Sequence, residues 1–208
     1  MASTRRYEGQ TIDERRHERR GRLIDAATRL YGRQGYRGTG VRAVCQEAGL
    51  TERYFYESFA NGEALLVAAY EAAIDNLVTQ ISMVADPALP PAERGRLMLE
   101  AYYARIRDNP DDARVFLIEI RGVSPEIDLV FERSLERFTE LILDTNDPHR
   151  IGPAASEPLL RRGMAGGLLH IALAWLEAGY DRPLDEVIAA AMPLCQLAAP
   201  RLEYAANG

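Results

Sequence analysis

The sequence predicts an all-α fold of about nine helices, and three observations carry that expectation. Apolar residues recur along most of the chain at the spacing of helical faces, and no stretch alternates with the two-residue period of a strand. The breaks between these stripes hold Gly, Pro, Asn and Asp, the residues that end helices and open turns. Near the N-terminus two short periodic stretches, ending at Ala48 and starting after Thr51, flank a three-residue turn containing Gly49, which is a helix-turn-helix spacing.

Composition sets limits before any element is placed. The 208 residues are 47% apolar and 27% charged, an ordinary globular balance that can bury a sizeable core in one large domain or two small ones. The net charge of -6 hides an asymmetry. Residues 1–60 hold twelve arginines against eight carboxylates, a net of +4, and the other 148 residues hold thirteen against twenty-three, a net of -10. A basic head on an acidic body suits a polyanion-binding head. The N-terminus has no apolar signal segment, and no apolar run reads as membrane-spanning, so a cytoplasmic protein is expected. Cys45 and Cys195 lie far apart without metal-ligand spacing and read as small buried apolar residues.

The elements follow in order. Residues 1–10 are polar and read as a mobile solvated arm, with a phosphate or a minor groove as the alternative contact for Arg5 and Arg6. Thr11-Ile-Asp-Glu14 has the form of a capping box, so the first helix starts near Ile12. Arg15, Arg16, Arg19, Arg20 and Arg22 form either a solvated face or a set of phosphate contacts. Leu23, Ile24, Ala27, Leu30 and Tyr31 then give an apolar stripe, ending near Gly35, that packs on the next two helices and completes a three-helix domain. In the second helix Val41, Val44, Cys45 and Ala48 share a face, and Gly49 is the residue suited to a left-handed helix end. Thr51 caps the third helix, where Phe55 and Phe59 face inward while Arg53, Tyr54, Glu57 and Ser58 point elsewhere. The second helix of such a pair fits a major groove, although helical hairpins also serve purely structural ends.

Asn61 caps a fourth helix with the stripe Leu66, Tyr70, Ala73, Leu77 and Ile81, running to about Val84. A Pro-rich break, 86–91, precedes a fifth helix from about Ala92 to Arg107, which stops at Asn109-Pro110. A sixth, roughly Asp111 to Arg121, is apolar on most sides at Val115, Phe116, Leu117, Ile118 and Ile120, so it should be central. Ser124-Pro125-Glu126 opens a seventh, with Ile127, Val130, Phe131, Phe138, Leu141 and Ile142 inward, to about Leu143; residues 144–156 read as a loop. Two long helices, about Glu157 to Ala178 and Pro183 to Tyr204, are joined by four residues and should lie antiparallel. Glycines at 163, 166 and 167 would each cost about 1 kcal/mol relative to alanine in an exposed helix, so a close neighbour is expected there. Pro193 should kink or end the last helix.

The order Thr39, Val44, Ala48-Gly49-Leu50-Thr51, Phe55-Tyr56, Phe59, Asn61 and Leu65-Leu66 resembles the DNA-binding domain of the TetR (tetracycline repressor) family of bacterial transcription regulators. The close resemblance covers about residues 20 to 70; the remainder matches in length and helical layout. It implies an all-helical homodimer with a helix-turn-helix DNA-binding domain over residues 11–62 and a ligand-binding and dimerisation domain over 63–208. By resemblance, Thr39 and Arg42 match positions that touch phosphates and base edges, Tyr54 and Tyr56 match recognition-helix positions used for bases and phosphates, and Thr51 matches a phosphate contact. Arg53 stands where relatives carry a small residue; its choices are guanine N7 and O6 or Glu57, four residues on. The chain departs from the family pattern at Glu52, Glu57, Ser58 and Gly62, the last in place of a phosphate-binding lysine.

No enzymatic constellation stands out: His17, His149 and His170 are dispersed, with no metal cluster, phosphate loop or nucleophile elbow. The chain is therefore expected to be a cofactor-free transcriptional repressor, released from a palindromic operator by a small, mostly apolar ligand. The rival is a dimeric DNA-binding protein with no small-molecule input; a filled core would favour it, and a cavity with apolar and polar walls would favour the sensor. The expected ligand lining is Tyr102, Phe116, Glu119, Phe131, Phe138, Met164, His170 and Trp175, although such aromatics more often belong to a core than to a ligand pocket. A buried Glu119 would need an arginine or a ligand donor as partner, and His170 either a core hydrogen bond or a pocket. The apolar hairpin over residues 157–204 is the expected dimer surface.

Overall fold

The computed structural model describes residues 11–147, 149 and 151–198, so the expected N-terminal arm with Arg5 and Arg6, and residues 199–204 of the expected last helix, lie outside the described residues. Ten α-helices and one π-helical turn make up the described chain. The first three are α1 (Ile12–Gln34), α2 (Val41–Ala48) and α3 (Glu52–Ser58). At the start of α1 the capping box forms: the Glu14 N–H donates to the Thr11 hydroxyl at 3.1 Å, and the Thr11 N–H donates to the Glu14 carboxylate at 2.5 Å. Leu23, Ala26, Ala27 and Tyr31 bury one face of α1 against Val44, Cys45, Phe55 and Phe59. Gly49 ends α2 at φ 63°, ψ 37°, the left-handed conformation that an L side chain resists.

The fourth helix, α4 (Gly62–Val84), starts where the Asn61 side chain accepts the Ala64 N–H at 2.8 Å. Contrary to the expectation from sequence, α4 is long and apolar enough by length and composition to cross a bilayer, with a mean hydropathy of 1.2. Half of that window is buried inside the protein, because α4 packs on α1, on α5 (Pro91–Asp108) and on α7 (Pro125–Asn146). Between α5 and α7 runs the central segment: α6 (Pro110–Arg114) continues directly into the π-helical turn Val115–Glu119. Val115, Leu117 and Ile120 there are fully buried.

In the loop expected over residues 144–156, the described residues are more ordered than a loop. α7 continues to Asn146, and the fully buried Asp147 accepts the N–H groups of Ile151 and Gly152 at 2.9 and 2.7 Å, folding the chain into the short α8 (Pro153–Ser156). The final hairpin is α9 (Pro158–Glu177) and α10 (Leu184–Cys195). α10 runs through Pro193, which leaves the Ala189 carbonyl without its helical donor, and stops at Cys195, short of the expected Tyr204. Gly167 admits α10: a Cβ there would lie 2.7 Å from Leu194 Cδ1. Gly163 and Gly166 have no neighbour within 4 Å, so the close approach expected at all three exists within the chain only at Gly167. Cys45 and Cys195 are buried, and burial pushes the Cys195 thiol up to about 11.

A joint ties α1 and the loop after it to the central segment. Glu119 accepts the Tyr36 N–H at 2.8 Å, and Arg114 lies 3.4 Å from its other oxygen. Arg37 donates to the Gly122 carbonyl at 2.9 Å. Gly32 meets the backbone of α6: a Cβ there would stand 2.5 Å from Asp111 Cα. Gly32→Ala should therefore destabilise the protein by about 1–3 kcal/mol through overpacking, although alanine favours a helix interior by about 1 kcal/mol. A urea midpoint that rose would contradict this contact.

Alkali should loosen the same core. Burial raises the phenols of Tyr31, Tyr70, Tyr102 and Tyr103 above their ordinary value of 10.0, Tyr70 to about 12 although its bond to Ser134 pulls downward. Each folded pKa exceeds the unfolded one, so their stabilising contribution is intact below about pH 10 and is lost as pH rises from there through the folded values. Thermal melts should hold level from about pH 7 to 9 and fall above about 10, in step with tyrosinate absorbance.

Candidate functional site

The helix-turn-helix presents α3 to solvent. Phe55 and Phe59 anchor its inner face, leaving Arg53 and Tyr56 exposed and Tyr54 half-buried. Arg53 donates to the Glu57 carboxylate at 3.0 Å, the helical partner weighed against guanine. Thr51 occupies the N-cap position without a side-chain capping bond, contrary to expectation, and its exposed hydroxyl is directed to neither N2 nor N3. Thr39 donates its hydroxyl to the Gly35 carbonyl at 2.8 Å, and Arg42 is exposed in the first turn of α2. Arg42, Thr51, Arg53 and Tyr56 thus sit at the surface of one small unit, with Thr39 and Tyr54 partly buried.

Sequence reasoning missed what supports α3. Arg16 donates to the Glu57 carbonyl at the end of α3 (2.9 Å), the Arg19 guanidinium lies 4.5 Å from the centre of the Tyr54 ring, and Arg22 donates to the Ala48 carbonyl at the end of α2 (2.6 Å). These cations satisfy carbonyls left open at helix ends and cover an aromatic face. The signal was present. Arg16 and Arg19 extend the Leu23–Ala27 stripe backwards at helical spacing, which placed them over α3 and not in open solvent.

A small cavity of about 10 Å³ lies in the body, lined by Ile74, Leu77 and Val78 of α4, Tyr102 of α5, Phe116 of the π turn, Phe131, Ser134, Leu135 and Phe138 of α7, and Leu169 of α9. Its walls carry no charged side chain. Of the expected lining, Tyr102, Phe116, Phe131 and Phe138 come together here. The other four do not. Glu119 turns away to the Tyr36 amide and Arg114. Met164 is fully buried elsewhere in the core. Trp175 packs on Tyr103 and Tyr180 and donates to the Arg182 carbonyl at 3.0 Å. His170 is exposed, its Nδ1 2.9 Å from the Gly166 carbonyl, because the buried stripe of α9 runs through Ala165, Leu168, Leu169 and Ala172.

The polar edge of the cavity is small. Ser134 donates its hydroxyl to the Phe131 carbonyl at 2.7 Å, which leaves Tyr70 as the donor in the short bond between the Tyr70 and Ser134 hydroxyls. The Tyr102 hydroxyl, on a residue 1% exposed, has no hydrogen-bond partner among the described residues. An open cleft of about 350 Å³ elsewhere, between α1, α4 and the α5–α6 corner, is polar and lined by Asp25, Arg29, Asp108, Asp111 and Asp112 among others.

Comparison with known proteins adds to this geometry. Residues 23–69 match the family of bacterial regulatory proteins, tetR family. Over 171 residues the chain is 23% identical to the HTH-type transcriptional activator FasR of Mycolicibacterium smegmatis, covering 82% of this chain and 77% of that one. Its fold is similar to that of the fatty acid degradation regulator FadR from Bacillus halodurans, with a TM-score of 0.71 at 20% identity over 89% of this chain and 96% of the other. It is also similar to FadR from Bacillus subtilis in complex with stearoyl-CoA, with a TM-score of 0.73 at 16% identity over 84% of this chain and 96% of the other. These relatives are regulators and not enzymes. Residues 23–69, which hold the helix-turn-helix, thus match the tetR family of bacterial regulatory proteins, and the all-helical chain has the fold of the two FadR structures.

Proposed function

We propose that the protein is a dimeric repressor whose residues 11–62 read a palindromic operator and whose body, residues 63–208, releases that operator on taking up a ligand with a long apolar chain. One observation carries this reading: the π turn that supplies Phe116 to the cavity wall also supplies Glu119 to the Tyr36 amide at the reader. A ligand that displaces Phe116 thereby acts on the part that holds the reader in place. The stearoyl-CoA of the B. subtilis FadR complex supports an acyl chain as the ligand. The relative FasR is named an activator, and a reader geometry serves either sign of control, so release on ligand binding is the part of the proposal that the joint supports.

A second reading draws on the cavity's size. At about 10 Å³ it has room for no more than about one water, so the body is close to a filled core, which favours a dimeric DNA-binding protein without a small-molecule input. The two readings differ by experiment. Calorimetry with stearoyl-CoA, with and without operator DNA selected from random duplexes, should show binding that the operator weakens by the same factor as the ligand weakens operator binding. Equal affinities in both titrations would leave the second reading.

Three further outcomes follow from the same proposal. The selected operator should be roughly palindromic, with half-sites about 34 Å apart or a multiple of that. Arg42→Ala or Arg53→Ala should cost about 1–3 kcal/mol of operator binding if either makes a bidentate base contact, and Arg53 must first leave Glu57. Glu52→Ala should tighten binding to random DNA by removing an exposed negative charge from the first turn of α3. Gel-shift titrations at fixed salt would measure all three, and unchanged affinity in both arginine variants would refute the assigned docking.

For the dimer, the supporting feature is an outward stripe on α9. Leu159 is 79% exposed, and Gly163, Gly166 and His170 continue its helical face, the two glycines meeting nothing. We assign this face, within the hairpin of residues 157–204, to a two-fold pairing that places both readers on cytoplasmic DNA. Gly163→Leu should convert a dimer to a monomer in light scattering at micromolar concentration; a monomeric parent protein would remove the pairing.

A further inference from the structure

Tyr102, in the wall of the cavity between α4 and α7, carries a buried hydroxyl that has no partner among the described residues. Tyr102 is 1% exposed and its hydroxyl finds no acceptor, whereas the neighbouring Tyr103 donates to the Leu168 carbonyl at 3.1 Å. The other hydroxyl at the cavity, on Ser134, is held by Tyr70 and the Phe131 carbonyl. A buried hydroxyl left unpaired is costly, and the cost is recovered by any group that brings it an acceptor. No charged side chain lines the cavity, so an ionised group brought there would lie unpaired in apolar surroundings.

We propose that Tyr102 is the polar anchor of this cavity, and that the ligand it selects is a hydrocarbon chain carrying a neutral oxygen acceptor (a ketone, ester, thioester or alcohol), not a free carboxylate. This rests on the reading that the cavity takes a ligand, and sharpens it from an apolar molecule to one with a single neutral oxygen at a defined place. Burial holds the phenol protonated well above its ordinary range, so it acts as the donor. The walls that must give way are side chains: Val78, Phe131 and Leu135 are only partly buried and form the side open to entry, while Tyr102, Leu77 and Leu169 form the closed end.

The test uses the intact protein and three probes of equal carbon count: methyl nonyl ketone, undecyl alcohol and undecanoate. Calorimetry at neutral pH should show the ketone and the alcohol binding at least about tenfold more tightly than undecanoate. Tyr102→Phe should lose about tenfold in ketone affinity, the order expected for one hydrogen bond, with an unchanged or higher melting temperature because an unpaired hydroxyl is removed. Tyr103→Phe, which deletes a paired hydroxyl away from the cavity, should leave ketone affinity as it was. Equal ketone affinity in wild type and Tyr102→Phe would overturn the anchor while leaving the cavity as a binding site. Undecanoate binding as tightly as the ketone would overturn the neutral-oxygen selectivity, and neutral probes that fail to bind at all would overturn both the anchor and the ligand reading beneath it.

Discussion

The bond from the Tyr36 amide to Glu119 is the constraint on which the arrangement of the molecule depends. Tyr36 lies in the loop that leads from α1 into the reader helices, and Glu119 closes the π turn at the centre of the body. A carboxylate this buried is tolerable only with partners, and it has two, the amide and Arg114. The π turn matters to this geometry. In an α-helix, residues three apart lie on one side of the cylinder, about 60° apart. The wider turn of a π-helix spreads Phe116 and Glu119 further, so one reaches the cavity while the other reaches the reader. π turns recur where a helix must do two such things at once.

Around this joint the contact surfaces allow little slack. Gly32 brings the α1 backbone against Asp111, and Arg37 ties its loop to Gly122. The reader is therefore held by α1 as firmly as by α4, and motion of either must be shared by both. On the proposed reading this makes the joint a two-ended element: a ligand at Phe116 would act on Tyr36, and DNA that fixes the reader would in turn stiffen the cavity wall.

Much of the fold was legible because periodicity and caps agreed. Thr11-Glu14, Gly49 and Asn61 each marked a boundary to within a residue, and the stripes of α1, α2 and α3 buried Leu23, Ala27, Tyr31, Val44, Cys45, Ala48, Phe55 and Phe59 while leaving Ile24, Leu30 and Val41 partly buried. Reading failed where order comes from a single long-range or loop contact instead of a repeat. Asp147 organises residues 147–156 through two amides, and nothing in its neighbours' spacing announces that. Glu119 was recognised as needing a partner such as an arginine, and Arg114 is one; its other partner is a backbone amide 83 residues away, which sequence spacing cannot specify. The cavity was half legible for the same reason. Aromatic residues at helical spacing identify a core, and only the packing of four helices decides that Phe131 meets Phe116 while Trp175 meets Tyr103.

The inward arginines have a consequence for how this protein finds its site in a chromosome. The head's net charge of +4 suggests strong general attraction to phosphate, yet most of its cations already have partners. Arg16 and Arg22 hold carbonyls, Arg19 and Arg20 lie over Tyr54 and Phe59, and Arg29, Arg33 and Arg53 face carboxylates. Among the head's described residues few are left to displace counterions, and the salt dependence of binding scales with the number displaced. Residence on random sequence is then brief, and the search proceeds through many short encounters in place of long sliding runs. Such a regulator gives up speed along the duplex, and it stays little titrated by the rest of the genome.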